Sequence, residues 1–157
     1  MTIWRMIAHH TDRAAAVRWT RAHRRIAIGW GKIGDLARTD SIDEIKAAIK
    51  ANYPAPSYAN NAGSGGPSLW DFANTMKKGD LVIASGRVPR EFVVEIVGDY
   101  EFVAGASPLF GEYNNQRAIE LTEYDGEKLW KAAGGVAGVS PYRTLVKCQR
   151  EVDVDEL

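Results

Sequence analysis

Hydrophobic and polar positions change period several times along the chain, and each change marks an element. Residues 2–8 alternate Ile3, Arg5 and Ile7 against Trp4, Met6 and Ala8, the period of a strand. Both alternating sets are largely apolar, so register alone does not choose the core face. Asp12 stands as N-cap to a helix over residues 13–24, alanine-rich and basic toward its end, where the helix dipole favours cations. Residues 26–28 form a second short strand. Ser41 and Glu44 make a capping box, in which the serine oxygen accepts from the Glu44 amide and the glutamate returns to the Ser41 amide. Ile42, Ile45 and Ile49 follow at helical spacing, and Pro54 and Pro56 end the helix near Asn52.

Residues 56–66 carry almost nothing to bury and read as a loop. Ser68 caps a further helix with Asp71 at its third position, and Leu69, Trp70, Phe72, Ala73 and Met76 give it an apolar face. Lys77 and Lys78 fall in its last turn, with Gly79 as the residue that terminates it. Strands follow at residues 80–84, 91–97 (extending toward 103) and 116–122. Residues 104–115 are a floppy connection between the last two, Asp125-Gly126 marks a turn, and residues 134–138 another loop. Residues 141–148 close the chain as a strand before an acidic tail at 151–157. Helices cluster early and strands late, which is an α+β pattern that fits a mixed, strongly curved sheet or small barrel. There is no internal repeat.

With 157 residues the chain is long enough for one domain with a sizeable core, taken as residues 1–150 plus the tail. It contains no apolar run of membrane-spanning length, no signal-peptide core at its start, and a single cysteine, Cys148; these features predict a cytoplasmic protein. Net charge is zero but unevenly spread. Residues 1–38 hold eight Arg and Lys against Asp12 and Asp35, together with His9, His10 and His23. Such a basic block is either a solvated helix face or the footprint of a phosphate-backbone binder.

The residues with most to say are Ile26-Ala-Ile-Gly-Trp-Gly-Lys-Ile-Gly-Asp-Leu36. Trp30 stands between Gly29 and Gly31. Glycine has no side chain to block approach, so a flat ligand could lie on the indole with its edge against bare backbone. The alternative is a core tryptophan at a strand end, with glycines making the turn. Trp70 either packs into the core with Phe72 or closes such a pocket from above.

The same stretch, with Trp4 in the first strand, Trp70-Asp-Phe-Ala-Asn-Thr-Met-Lys-Lys-Gly-Asp-Leu-Val82, Ile96-Val-Gly-Asp-Tyr-Glu-Phe102 and Gln116-Arg-Ala-Ile119, resembles the EVE-like domains of the PUA superfamily. In particular it resembles those at the N-terminus of modification-dependent restriction enzymes, and the resemblance covers roughly residues 2–148. The resemblance implies a small mixed β-barrel flanked by helices, and a pocket that takes a flipped, modified base, as YTH relatives do. It places Trp30 on the cage tryptophan and carries over Trp4, Trp70, Asn60 and Asn61 as further pocket residues. Where relatives often have an aromatic and a histidine before the late arginine, this chain has Tyr113, Asn114 and Asn115.

Flipping a base costs a few kcal/mol and one stacked aromatic returns roughly 1–3 kcal/mol. A reader therefore needs a second wall, from Trp4, Trp70 or Tyr113, and edge contacts from Asn60 or Asn61. Arg24, Arg25, Lys32, Lys77, Lys78 and Arg117 are the candidate phosphate contacts, which set affinity and not sequence choice. No metal is expected, since adjacent His9 and His10 diverge on a strand and Cys148 is alone. Neither a nucleophile elbow nor a P-loop is present. The expectation is a non-enzymatic reader, without cofactor, of modified DNA in preference to RNA, serving restriction or phage defence beside a separate effector nuclease. A small-ligand or nucleotide-binding module and an RNA-processing PUA-like protein are the alternatives.

Overall fold

The computed structural model describes residues 1–9, 12–53, 61–84, 90, 92–104, 112–136 and 143–157. Strand β1 (Ile3–Met6) leads to helix α1 (Arg13–His23), whose N-cap Asp12 accepts from the Ala15 amide as its position predicts. Strand β2 (Arg25–Ile28) and helix α2 (Ile42–Asn52) follow. Ser41 accepts from Glu44 N at 3.1 Å, but the Glu44 carboxylate returns to the Asp40 amide and not to Ser41.

Helix α3 (Ala62–Trp70) corrects the sequence expectation. Its first half, Gly-Ser-Gly-Gly-Pro, reads as loop, and Ser68 reads as a cap. In the fold Ser68 is buried mid-helix, donating to the Ser64 carbonyl at 2.9 Å and accepting from Leu145 N at 3.3 Å. Gly65 and Gly66 are buried because α2 and Trp30 press on them: a Cβ on Gly65 would lie 3.0 Å from Ile49 Cδ1 and from Trp30 Cζ2. Close approach of two helices, a long-range effect, overrides a helix propensity about 1 kcal/mol poorer than alanine at each glycine. The helix then widens into a π turn over Asp71–Thr75.

Strands β3 (Leu81–Ile83), β4 (Val93–Phe102) and β5 (Asn115–Leu121) stand close to their expected places. Asp125-Gly126, expected as a turn, instead opens helix α4 (Gly126–Ala132), with the Asp125 carboxylate accepting from Glu127 N and Lys128 N. Strand β6 (Leu145–Lys147) is last.

The strands form one mixed sheet in the order β2-β5-β4-β3-β1-β6, with only β1 and β3 parallel. The fold is α+β, as expected, but the described sheet is open, with β2 and β6 at its edges, and does not close into a barrel. Both faces are covered, which is why alternation in β1 could not select one. Trp4, Met6, Val82, Val94, Ile26 and Ile28 face α2 and α3, whereas Ile3, Leu81, Ile83 and Val93 face α4. No helix among the described residues is long and apolar enough to cross a membrane.

Candidate nucleic-acid interface

Strand β2 delivers Trp30 to the end of the sheet, where the chain turns sharply. Trp30 has φ 59° and ψ 35°, a left-handed conformation, and leads into a 3-10 turn over Gly31–Ile33. Left-handed backbone brings Cβ against the carbonyl and is a genuine outlier for a bulky side chain. The turn is held from several sides. Gly31 N donates to the Glu112 carbonyl at 3.0 Å, and Ile33 N donates to the Trp30 carbonyl at 3.2 Å. The Glu112 carboxylate lies 3.4 Å from Lys32 Nζ and accepts from the Tyr53 hydroxyl at 3.3 Å. That hydroxyl in turn accepts from Lys32 N at 3.2 Å.

The flanking glycines do not leave bare backbone open to a guest, contrary to the expectation. A Cβ on Gly31 would stand 2.4 Å from the Glu112 carbonyl oxygen, so this glycine is needed for the 112–114 segment to pack. Gly29 faces the Tyr113 ring at ordinary contact distance. Tyr113 therefore lies on the Ala27–Gly29 side of β2, among α1 residues and 5.0 Å from the His9 ring. Burial, and secondarily the charge of Glu112, push its hydroxyl pKa up to about 12. Trp30 packs on the other side, against Gly65 and the main core. The two rings do not face each other as pocket walls.

Trp30 itself is half-buried, so part of the indole is accessible. Asn61 is exposed one turn before Gly65 on α3, and its carbonyl accepts from Gly65 N at 2.7 Å. It thus stands on the helix face that carries Trp30. Asn60, like His10, lies outside the described residues. Trp70 is half-buried against the core beside Phe72. Trp4 is no pocket wall: only 1% of it is exposed, and its indole N–H donates to Asp80 Oδ2 at 2.9 Å. The same oxygen accepts from Lys77 N at 3.0 Å, so Trp4 fixes the turn that presents Lys77 and Lys78.

The candidate phosphate contacts divide. Arg24 is exposed at the end of α1, also left-handed at φ 55°. Arg25 is committed to β5 and β4: Nε donates to Gln116 Oε1 at 2.7 Å and Nη2 pairs with Glu101. Lys32 is exposed, pairs with Glu112, and lies 5.2 Å from the Tyr53 ring centroid. Arg117 is 3% exposed and is not a surface contact. Yet Lys77, Lys78 and Arg117 line a single groove of about 440 Å³ with Ala37, Asn74 and Tyr100. Residues distant in the sequence meet there because β4 and β5 run beneath the end of the π turn.

A family profile described as "Domain of unknown function (DUF8426)" matches residues 4–131, most of the chain. The chain belongs to the DUF8426 family. The matched span takes in β1 to α4 and so includes both the Trp30 turn and the groove. No curated protein and no solved structure matches the chain.

Sequence reasoning missed the residues that join these two places. The Tyr100 hydroxyl accepts from Leu36 N at 2.8 Å and lies 3.0 Å from Asp35 Oδ1 and 2.7 Å from Asn115 Oδ1. It anchors the far end of the Trp30 segment while its ring lines the groove. Burial raises its pKa above the ordinary tyrosine value, so it is a neutral hydroxyl near neutral pH. Asn115 is fully buried, and its Nδ2 has no partner among the described residues. Nothing local in the sequence marks these residues, because their partners lie on other elements.

Proposed function

We propose that this chain is a nucleic-acid-binding reader that accepts a flipped, modified base of DNA against Trp30. On this reading it is an EVE-like domain of the PUA superfamily, acts in restriction or phage defence, and leaves cleavage to a separate effector nuclease. The observation that carries it is the left-handed backbone of Trp30. A half-buried tryptophan placed only for packing would not need φ 59°, a conformation that costs of order 1–3 kcal/mol and persists where surrounding contacts over-determine it. Such strain concentrates at ligand-binding positions. The clamp from Glu112 and Tyr53 supplies the over-determination. Asn61, with donor and acceptor in one amide, stands on the adjoining helix face, suited to a base edge.

The test is fluorescence anisotropy with labelled oligonucleotides bearing methylated, hydroxymethylated or unmodified bases, as DNA and as RNA. Wild type should prefer one modified DNA, and Trp30→Ala should lose that preference. Trp30→Gly removes the ring while suiting the left-handed backbone, so it keeps the test independent of folding loss. Retention of the full preference by folded Trp30→Gly would overturn the reading. So would tighter binding of RNA, or of free nucleotides, than of any DNA.

A further inference from the structure

The groove beside the π turn holds an unusual charge. Arg117 is buried, and among the described residues its guanidinium donates only to main-chain carbonyls: Nε and Nη2 to Gly98, and Nη1 to Phe72 and Met76. Each carbonyl is one that the fold has left open. In the π turn Met76 N bonds to the Asp71 carbonyl, so the Phe72 carbonyl loses the amide an α-helix would give it. Gly98 lies in the irregularity of β4 between Ile96 and Tyr100, where pairing with β5 slips. These contacts explain why a donor is needed. They do not explain why it carries a full charge, since a buried cation is costly unless an anion compensates it.

Among the described residues no carboxylate forms an ion pair with Arg117; Asp99 and Asp80 favour its charge only from longer range and do not outweigh its burial. Its five N–H groups make four bonds, which leaves one on Nη2. Lys77 and Lys78 stand at the rim, and among the described residues of the lining the acid is Asp99, 3.3 Å from Lys78 and itself exposed. Three cations in the lining against Asp99 there and Asp80 beside it leave the groove net positive by one charge. Its volume of about 440 Å³ falls within the range of ligand sites.

We propose that this groove is an oxyanion site, that Lys77 and Lys78 neutralise two successive backbone phosphates there, and that Arg117 supplies the fixed positive floor. The proposal rests on the reading of this chain as a nucleic-acid binder and says where the strand runs. Ala37 in the groove is seven residues from Trp30, a contour of at most about 25 Å. At 3.4 Å per nucleotide along a strand, that is at most about seven nucleotides. A duplex of about a dozen base pairs therefore spans both. Tyr100, which lines the groove, bonds to Asp35 and Leu36 and so ties the groove to the segment that follows Trp30.

The experiment is the salt dependence of binding for an unmodified duplex of that length, with wild type, Lys77→Ala/Lys78→Ala and Lys77→Arg/Lys78→Arg. Both lysines are exposed, so the variants should fold. At about 0.9 per phosphate on duplex DNA, the alanine pair should flatten the log–log slope by about 1.8, a loss of roughly 60-fold at about 0.1 M salt. The arginine pair should keep the slope. An unchanged slope in the alanine pair overturns the groove even if a modified base is still preferred through Trp30. If no oligonucleotide binds but inorganic phosphate shifts the amide resonances of residues 77 and 78 in the wild type only, the anion site stands and the reader falls. If phosphate shifts nothing either, both fall.

Discussion

Replacing Gly31 with alanine puts the packing of the Trp30 turn to a direct test. The new Cβ would stand 2.4 Å from the Glu112 carbonyl oxygen, 2.7 Å from Asn114 Oδ1 and 2.8 Å from the Glu112 carbonyl carbon. Two of those atoms are main chain and cannot swing aside, so the 112 segment must withdraw by at least about 0.6 Å to reach the closest contact that real Cβ atoms show. That withdrawal stretches the Gly31–Glu112 hydrogen bond from 3.0 Å beyond useful length. Overpacking costs about 1–3 kcal/mol and the lost bond about 1 kcal/mol, together about 2–4 kcal/mol. In a chain of this size the Tm should fall by roughly 5–15 °C. Gly29→Ala is the control: its Cβ meets Tyr113 at 3.6 Å, an ordinary contact, and its φ is not positive. It should leave Tm unchanged or raise it slightly, through a less flexible unfolded chain. Thermal melts followed by circular dichroism give both numbers. A Gly31→Ala protein melting within about 2 °C of wild type would refute the reasoning, since nothing in the turn could then be rigid.

Two further outcomes follow from buried contacts. Trp4→Phe removes a hydrogen bond to a buried carboxylate, Asp80, and loosens the turn that carries Lys77; it should cost about 2–4 kcal/mol in urea unfolding, and a loss below about 0.5 kcal/mol would contradict it. His9 is held below its ordinary pKa of 6.5 by burial, which outweighs the opposing charge of Asp12, and its Nδ1 accepts from Asp12 N at 2.9 Å. Below pH 6.5 the unfolded chain therefore binds more protons than the folded one, so the His9 contribution is full above that pH and is lost as pH falls toward the folded value. Comparing Tm between pH 7.5 and about 5.5 in wild type and His9→Ala checks this: wild type should lose more stability over that range, and equal losses would show that the histidine does not titrate there.

Local contacts between neighbouring residues are legible in the chain before it folds. Asp12 and Ser41 announce their helices because a cap is a contact across three residues. Helix α2 ends at Asn52, where the sequence leads one to expect it, and the strands show through their alternation. The α+β order followed from these. Tertiary structure decided the rest. Helix α3 exists because Trp30, Ile49 and Lys46 press on glycines that propensity alone would leave in a loop. Asp125 was read as half of a turn because Asp-Gly suits both a turn and a cap; Gly126 has no room for a Cβ, with the Arg90 carbonyl oxygen 2.0 Å from where one would lie.

The candidate site divides in the same way. Trp30 was visible as an aromatic between two glycines, but its strained angle and the side of the sheet it faces were not. Trp4 looked like a pocket wall and is a core residue, because its indole N–H finds Asp80, 76 positions away. Arg117 looked like a surface cation and lies beneath the groove, under Lys77 and Lys78, because the open carbonyls of the π turn and the β4 irregularity require a donor. Sequence spacing encodes contacts within a turn or a strand; a buried charge and its partners, drawn from three elements, are specified only once the sheet has been assembled.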